Sequence, residues 1–192
     1  MTKASLREKY LARRQSLDEE NYQQKSQQIE KHFFQQFNLA HYSYVHIYLA
    51  MAERREVATW GIIQTLFSKY PEVVVAAPQL VGQPTRIASR IITPESTLKT
   101  HPWGIQEPTE GKSIVATSFD MVILPVIAFD LQGYRVGYGK GHYDRFLAQC
   151  RPDVTKVGLC FETPVPTITD LHAYDVPMDY CVTPHQVWVQ SK

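Results

Sequence analysis

The segment Asp120-Met-Val-Ile-Leu-Pro125, together with Arg135-Val-Gly-Tyr-Gly-Lys-Gly-His-Tyr-Asp-Arg145 downstream of it, decides the fold. Residues 121–124 form an apolar run that predicts a strand closed by proline. Glycines then alternate at positions 137, 139 and 141, and a helical pattern follows in which residues 143, 146 and 147 share one face. A strand, a glycine loop and a helix in this order place the loop at the carboxyl edge of an α/β sheet, where ligands bind.

The glycine loop has the composition of an anion site. Glycines let the backbone approach a ligand and turn its N–H groups inward, and a helix N-terminus adds partial positive charge. Lys140, with the flanking Arg135 and Arg145, raises the positive potential, and Asp144 is placed to take a divalent metal. These residues predict a polyphosphate site; the alternative is a tight turn or bulge with a solvated lysine.

Neither standard phosphate-binding signature fits this loop. Gly141 follows the lysine, where a P-loop has serine or threonine. His142 stands where the dinucleotide fingerprint has its third glycine or alanine. The loop therefore belongs to another type of anion site, if it binds an anion.

Length and composition bound the remaining possibilities. The chain has 192 residues, of which 44% are hydrophobic and 20% charged, which fits one domain spanning 1–192. A net charge of +1 argues against nucleic acid or anionic lipid as a partner. No apolar run is long enough for a membrane span, and the N-terminus does not resemble a signal peptide, so we expect a cytoplasmic protein. Cys150, Cys160 and Cys181 lack the spacing of a zinc site and are expected to be free thiols.

Strand and helix patterns alternate along the chain. Residues 3–37 predict two helices, the second with a capping box from Ser16 and Glu19, and residues 59–70 predict an amphipathic helix with Thr59 as N-cap. Residues 93–118 are rich in proline and glycine and are expected to be mostly loop. Together with the predicted strands, this order indicates a three-layer α/β fold with a mainly parallel, Rossmann-like sheet. The predicted strands are 44–49, 72–77, 86–92, 120–124, 157–161 and 180–182.

The run from Leu124 to Leu147 resembles the signature of the 5-formyltetrahydrofolate cyclo-ligase family, also called 5,10-methenyltetrahydrofolate synthetase. Three further segments resemble the same family in the expected order. They are Lys3-Ala-Ser-Leu-Arg7 with Arg13 and Arg14, Tyr48-Leu-Ala-Met51 with Glu56-Val-Ala-Thr59, and Asp175-Val-Pro-Met-Asp179 with Val182-Thr183. The resemblance spans nearly the whole chain.

The resemblance implies a reaction and its ligands. The family converts 5-formyltetrahydrofolate to 5,10-methenyltetrahydrofolate with ATP and Mg²⁺. Transfer of the γ-phosphate to the formyl oxygen makes that oxygen a good leaving group, and N10 then closes the ring. The implied partners are these small molecules, with no nucleic acid or membrane, and a monomer is expected.

The resemblance also implies roles for individual residues. Lys140 and Arg145 would be catalytic, and Asp144 and Asp179 would bind Mg²⁺. Substrate contacts would come from Arg7, Leu49, Glu56, Trp103 and His142. The implied ATP site comprises Lys3, Arg7, Arg135, Gly137, Tyr138, Gly139, Lys140, Gly141, His142 and Tyr143.

Each of these residues also has an ordinary structural interpretation. Lys3 and Arg7 suit a solvated terminal helix, and Asp144 and Asp179 suit a first helical turn and a turn after proline. Glu56 suits a helix start, Leu49 a core strand, and Trp103 simple packing. The alternative functions are a non-catalytic nucleotide- or folate-binding protein on the same fold, and an ATP-dependent activator of a related N-formyl or pterin substrate.

Two features depart from the family pattern. His142 stands where the family has tyrosine or phenylalanine, so a smaller ring with a pH-dependent charge faces the substrate. Residues 52–55, Ala-Glu-Arg-Arg, form a longer and more basic segment than usual. Arg54 and Arg55 either contact a polyglutamate tail or belong to a solvated loop.

Overall fold

The computed structural model describes residues 1–190 and shows helices on both faces of a central sheet. The helices are α1 Lys3–Gln15, α2 Glu19–Gln36, α3 Trp60–Lys69 and α4 His142–Leu147, with 3₁₀ turns at Leu39–His41, Ala52–Arg54 and Ala116–Ser118. The strands are β1 Tyr44–Ile47, β2 Val74–Val81, β3 Arg86–Ile91, β4 Leu98–Thr100, β5 Gln106–Pro108, β6 Ser113–Ile114, β7 Met121–Pro125, β8 Ala128–Phe129, β9 Arg135–Val136, β10 Thr155–Leu159, β11 Tyr180–Val182 and β12 Val187–Val189.

The central sheet has eight strands in the order β12-β11-β10-β7-β1-β2-β3-β6. The five strands from β11 to β2 are parallel to one another, and β12, β3 and β6 add antiparallel edges. The predicted α/β fold with a mainly parallel sheet is therefore confirmed. Two short antiparallel pairs, β4–β5 and β8–β9, lie outside this sheet.

The apolar run of β7 serves both faces of the sheet because successive side chains alternate. Met121 and Ile123 belong to the core under α2 and α3, whereas Val122 and Leu124 belong to the core on the α4 side. The first core includes Phe33, Ile62 and Leu66, and the second includes Phe119, Phe146 and Leu147. Two packed faces make the molecule three-layered, as the uniform run of apolar residues required.

Helix α1 packs at the edge of the molecule that holds the glycine loop. Its apolar residues Leu6 and Tyr10 share a core with Ile127, Ala128 and Val136 of the β8–β9 hairpin. The Thr2 side chain accepts a hydrogen bond from Ser5 N and caps the helix. The predicted first helix is thus an ordered wall of the carboxyl edge.

The capping box predicted for α2 is wrong, and Thr59 occupies the predicted N-cap position of α3 without making a side-chain cap. Asp18, not the Ser16–Glu19 pair, caps α2: its Oδ1 accepts from Asn21 N at 2.7 Å. Thr59 precedes α3, but its Oγ1 accepts from Ala50 N at 3.2 Å and does not cap the helix. At α2 the side chain of Asp18 makes the capping hydrogen bond, whereas at α3 the Thr59 hydroxyl accepts from the backbone of Ala50 and therefore caps no helical N–H group.

The loop-rich segment 93–118 contains the β4–β5 hairpin, which pairs Leu98 with Pro108 and Thr100 with Gln106. Its tip carries Trp103. Over residues 1–190, no helix combines the length and apolarity needed to cross a membrane.

Candidate active site

A cavity of about 750 Å³ opens at the carboxyl edge of the parallel strands. Tyr48 and Leu49 follow β1, Pro78 lies in β2, and Pro125 ends β7, and all four line it. Parallel strands bring their carboxyl ends to one edge, so residues distant in sequence meet here. Most of the residues assigned by resemblance line this cavity: Lys3, Arg7, Leu49, Glu56, Trp103, Arg135 and residues 137–144.

The glycine loop forms one wall and is held by α1. Gly139 adopts φ +86° and Gly141 φ +62°, which favour glycine. Arg7 Nε donates to the carbonyl of Gly137 at 2.7 Å, and a Cβ on Gly139 would lie 3.3 Å from Arg7 Nη2. The loop conformation thus needs glycine at 139 for its backbone angle and for the close approach of Arg7.

The cations of this wall differ in their surroundings. Arg135 is largely buried and donates to Asp144 Oδ1 at 2.8 Å and to Val176 O at 2.7 Å. Burial lowers its pKa, and the Asp144 carboxylate opposes that effect. Lys140 is exposed on the cavity wall and has no acidic partner in the described chain. It is therefore available to an anionic ligand.

Lys3 approaches the same wall from α1. Its ammonium group forms an ion pair with Asp175, and its backbone N–H donates to Asp170 Oδ1 at 2.6 Å. Both aspartates line the cavity. Neither Lys3 nor Arg7 is a solvated helix residue, since both tie α1 to the opposite wall.

The carboxylates that meet at the cavity are not the predicted pair. Asp144 lines it, but Asp179 does not. Asp179 Oδ2 accepts from Lys156 N and Lys156 Nζ, both at 2.8 Å. Because Asp179 directly precedes parallel strand β11, it lies at the amino edge of the sheet. Asp175, four residues earlier, reaches the cavity instead, and the sequence motif gave no reason to prefer it.

Magnesium suits the donors that the cavity supplies. Asp144 and Asp175 are hard oxygen ligands, and Arg135 and Lys3 balance their charge. No group of three His, Cys, Asp or Glu side chains in residues 1–190 forms a metal cage. Mg²⁺ typically takes one or two carboxylates and completes its shell with water and substrate phosphates, so two carboxylates fit.

The opposite wall offers a buried carboxylate and apolar surface. Glu56 and Leu49 are each only 2% exposed. Glu56 accepts hydrogen bonds from Met51 N and Tyr138 Oη, both at 2.7 Å. Burial raises the pKa of Glu56, and these two hydrogen bonds oppose the rise. A buried carboxylate beside apolar side chains is suited to the N–H edge of a flat ring.

His142 and Trp103 face each other across the cavity mouth, with ring centroids 6.2 Å apart and planes at 27°. Arg145 Nη2 lies 3.0 Å from His142 Nδ1, and arginine can only donate, so Nδ1 accepts. Burial, then the charges of Arg145 and Lys140, lower the pKa of His142. The ring is therefore a neutral aromatic surface at neutral pH.

Arg145 is the second predicted residue that the structure does not bring to the cavity. It is exposed, and besides His142 it contacts the carbonyl of Thr85 at 3.5 Å. Residues 142 and 145 are three apart on α4 and therefore adjacent on its surface. Arg145 is placed to support His142 from outside the cavity.

The sequence analysis missed Asp170 and His172 of the cavity, and it named Tyr48 and Asp175 only as parts of resembling segments and Arg54 only as a contact to a polyglutamate tail or a loop residue. Arg14, which contacts Tyr138, was noted only as part of a resemblance. Helical periodicity was an available signal, since positions 3, 7 and 14 fall within about 40° of one another on a helix. The loop residues 170–175 gave no comparable signal.

The fold and cavity define an α/β enzyme with a two-part small-molecule site, cationic on one side and apolar with a buried carboxylate on the other. Residues 1–184 match the 5-formyltetrahydrofolate cyclo-ligase family. The chain belongs to that family and is an enzyme of the cyclo-ligase class.

Individual relatives agree with the family assignment. The chain is 27% identical to the probable 5-formyltetrahydrofolate cyclo-ligase of Schizosaccharomyces pombe over 148 residues, which cover 70% of this chain and 72% of that protein. It is 33% identical to the Escherichia coli enzyme over 98 residues, 50% of this chain and 54% of that one. That alignment thus spans about half of the bacterial relative.

Solved structures show the same fold. The 5,10-methenyltetrahydrofolate synthetase of Aquifex aeolicus superposes with a TM-score of 0.83 at 28% identity, covering 100% of this chain and 94% of that one. The Mycoplasma pneumoniae synthetase gives 0.72 at 20% identity, covering 96% and 99%. The second comparison bears on the fold alone.

Proposed function

We propose that this chain, acting as one domain over residues 1–192, uses ATP and Mg²⁺ to convert 5-formyltetrahydrofolate to 5,10-methenyltetrahydrofolate, releasing ADP and phosphate. The observation that carries the proposal is a single cavity that joins the glycine loop to Glu56 and the Trp103–His142 mouth. A phosphoryl donor would face the cationic wall of this cavity, and a flat folate ring would face its apolar wall with the buried carboxylate. Family membership points to the same reaction.

The proposed chemistry begins with the phosphate side. The backbone N–H groups of residues 137–141 and the Lys140 ammonium would hold the triphosphate and balance charge on the transferred group. Mg²⁺, held by Asp144 and Asp175, would neutralise phosphate charge when bound. The γ-phosphate passes to the formyl oxygen, breaking its bond to the β-phosphate oxygen and releasing ADP.

The folate side would position the ring for closure. Glu56 would accept hydrogen bonds from the N–H edge of the pterin, while Leu49 and the His142–Trp103 pair cover its faces. N10 then attacks the activated formyl carbon, the carbon–oxygen bond to phosphate breaks, and N10 loses its proton as inorganic phosphate leaves and carries that proton away. The walls would exclude water, which otherwise hydrolyses the phosphorylated intermediate.

A coupled assay tests the proposal. Purified protein with 5-formyltetrahydrofolate, ATP and Mg²⁺ is expected to show the absorbance rise of methenyltetrahydrofolate, with one ADP formed per product. Omission of ATP, or its replacement by a non-hydrolysable analogue, should abolish the rise. Binding of both ligands by calorimetry without any product would instead establish a non-catalytic binding protein.

A further inference from the structure

Three side chains form a hydrogen-bonded series that runs from α1 to the folate wall. Arg14 Nη2 lies 2.5 Å from Tyr138 Oη, and Tyr138 Oη lies 2.7 Å from Glu56 Oε1. Arg14 is only 7% exposed and forms no salt bridge within residues 1–190. A buried arginine without a carboxylate partner thus reaches a carboxylate through one phenol.

The hydrogen bonds of this series can run in only one direction, from Arg14 through Tyr138 to Glu56. Arginine can only donate, so the Tyr138 oxygen accepts from Arg14 and its one proton goes to Glu56. The backbone N–H of Met51 donates to the other oxygen, Oε2, at 2.7 Å. Both Glu56 oxygens therefore accept an internal hydrogen bond, and a proton on either one would occupy the acceptor position that is left and weaken the oxygen as an acceptor.

Tyr138 is held in this position from two sides. The guanidinium carbons of Arg14 and Arg54 lie 5.6 Å and 5.2 Å from the centroid of its ring. Its neighbours in the chain are Gly137 and Gly139, so the backbone alone would not fix the side chain. Cation–π contacts with the two arginines therefore restrict the position of the Tyr138 ring, although its neighbouring glycines leave the backbone flexible.

We propose that Arg14 and Tyr138 are positioning residues, which hold the Glu56 carboxylate oriented and anionic so that its remaining lone pairs face the N–H edge of the substrate ring. The proposal rests on the proposed function for the identity of the ring. Each carboxylate oxygen accepts one internal hydrogen bond, which leaves one acceptor position on each. Two parallel acceptors match two adjacent N–H donors.

The electrostatics around Glu56 agree with this geometry. Burial raises the pKa of Glu56, and the hydrogen bonds from Met51 N and Tyr138, followed by the charges of Arg14 and Arg54, lower it. Without Arg14 and Tyr138 the raising effect is less opposed, and the carboxyl group is protonated at higher pH. The ionisable groups that face Glu56 from the elements packed around it are Arg14, Tyr22, Tyr48, Arg54, Tyr138 and Tyr143.

The test measures Glu56 directly in the ligand-free protein. Glutamate labelled with ¹³C at its carboxyl carbon is titrated by NMR, and the Glu56 signal is assigned by its loss in Glu56→Gln. In Tyr138→Phe and Arg14→Met, the Glu56 titration is expected to move to higher pH by about one unit, the size of losing one charged or hydrogen-bonding partner. Arg14→Lys keeps the positive charge, so its Glu56 titration should lie between those of the wild type and Arg14→Met.

Kinetics then link this titration to substrate use. The acid limb of kcat/KM for 5-formyltetrahydrofolate reports groups of the free enzyme and substrate, and it should move upward in the same two variants. Arg13→Met is the matched control, because Arg13 is one residue along α1 and pairs with Glu162. This variant should reproduce the wild-type titration and acid limb.

The two proposals fail in different ways. An unshifted Glu56 titration in folded Tyr138→Phe, which retains the ring, overturns the positioning role whatever the activity. A shifted titration with an unchanged acid limb also overturns it, since Glu56 would then not serve the substrate through its charge. If the wild type forms no product but the variants still show the NMR shifts, the proposed function is overturned. The conclusion that Arg14 and Tyr138 keep Glu56 anionic would then stand without a role in this reaction.

Discussion

At the scale of single residues, His46 shows how the centre of the sheet constrains a titratable group. It is fully buried on β1, its Nδ1 lies 3.1 Å from Ser89 Oγ, and Phe146 and Phe119 surround its ring. Burial lowers the pKa of His46 to about 3. The folded protein therefore keeps this imidazole neutral at pH values where the unfolded chain protonates it.

The consequence is an acid-sensitive stability. The pKa of His46 is lower in the folded protein than in the unfolded chain. The contribution of the neutral imidazole to the free energy of unfolding is therefore fully present above about pH 6.5, the pKa in the unfolded chain. It decreases as the pH falls from there towards 3, by about 1.4 kcal/mol per pH unit. His46→Phe is expected to cost about 1 kcal/mol at pH 7.5, through loss of the Ser89 hydrogen bond. By pH 5 the variant should equal or exceed the wild type in urea denaturation. Parallel pH dependence of the two proteins would contradict this prediction.

At the scale of elements, the glycine loop combines two kinds of glycine. Gly139 has a left-handed backbone and lies against Arg7, whereas a Cβ on Gly137 would meet no atom within 4 Å. Only the first is required by the loop's own conformation. The alternating pattern in the sequence could not distinguish them, because it records residue type and not backbone angle.

A pair of substitutions separates these two glycines. Gly139→Ala is expected to lower the free energy of unfolding by about 1–3 kcal/mol because of its strained backbone, and to weaken ATP binding. Gly137→Ala should be neutral or stabilising by up to about 1 kcal/mol, because it reduces the freedom of the unfolded chain. Urea denaturation and calorimetry with ATP measure both effects. Equal losses in the two variants would show that strain at residue 139 does not govern the loop.

At the scale of the whole molecule, the two edges of the parallel sheet carry different carboxylates. Asp144 and Asp175 lie at the carboxyl edge with the cavity, and Asp179 lies at the amino edge with Lys156. The first two belong to the proposed site. The third supports the junction of β10 and β11.

Substitution by asparagine should reveal this division. Asp144→Asn and Asp175→Asn are expected to lower kcat on the order of 10²-fold, the size of losing one electrostatic contact to a reacting group, and to raise the Mg²⁺ requirement. Asp179→Asn should cost about 1–3 kcal/mol of stability through its partly buried, charged hydrogen bonds to Lys156 and leave kcat near the wild-type value. A catalytic defect in a stably folded Asp179→Asn variant would return that residue to the metal site.

The sequence predicted the sheet because β7 is apolar at every position, so that both of its faces must be buried. A strand is buried on both faces when helices pack on both sides of the sheet. The sequence predicted that the glycine loop, Arg135 and Asp144 lie together at one site because they are close in the chain. It assigned no role to Asp175 or Arg14, and it assigned to the site Arg145 and Asp179, which do not line the cavity. The positions of these residues depend on the edge of the sheet at which a strand begins and on the helix face that packs against a distant loop. The local spacing of residues in the sequence predicts neither.

The contacts of α1 also affect the order in which the parts of the chain fold during synthesis. Lys3 meets Asp175 across 172 positions and Arg7 meets Gly137 across 130 positions. On the ribosome, α1 emerges early and must wait for partners made much later, with Leu6 and Tyr10 uncovered meanwhile. Contacts of such long range form slowly, so a nascent chain would pair β1, β2 and β3 of its central sheet before its binding cavity is complete. A stalled or prematurely ended chain could then be folded at its centre and still lack the wall that α1 completes.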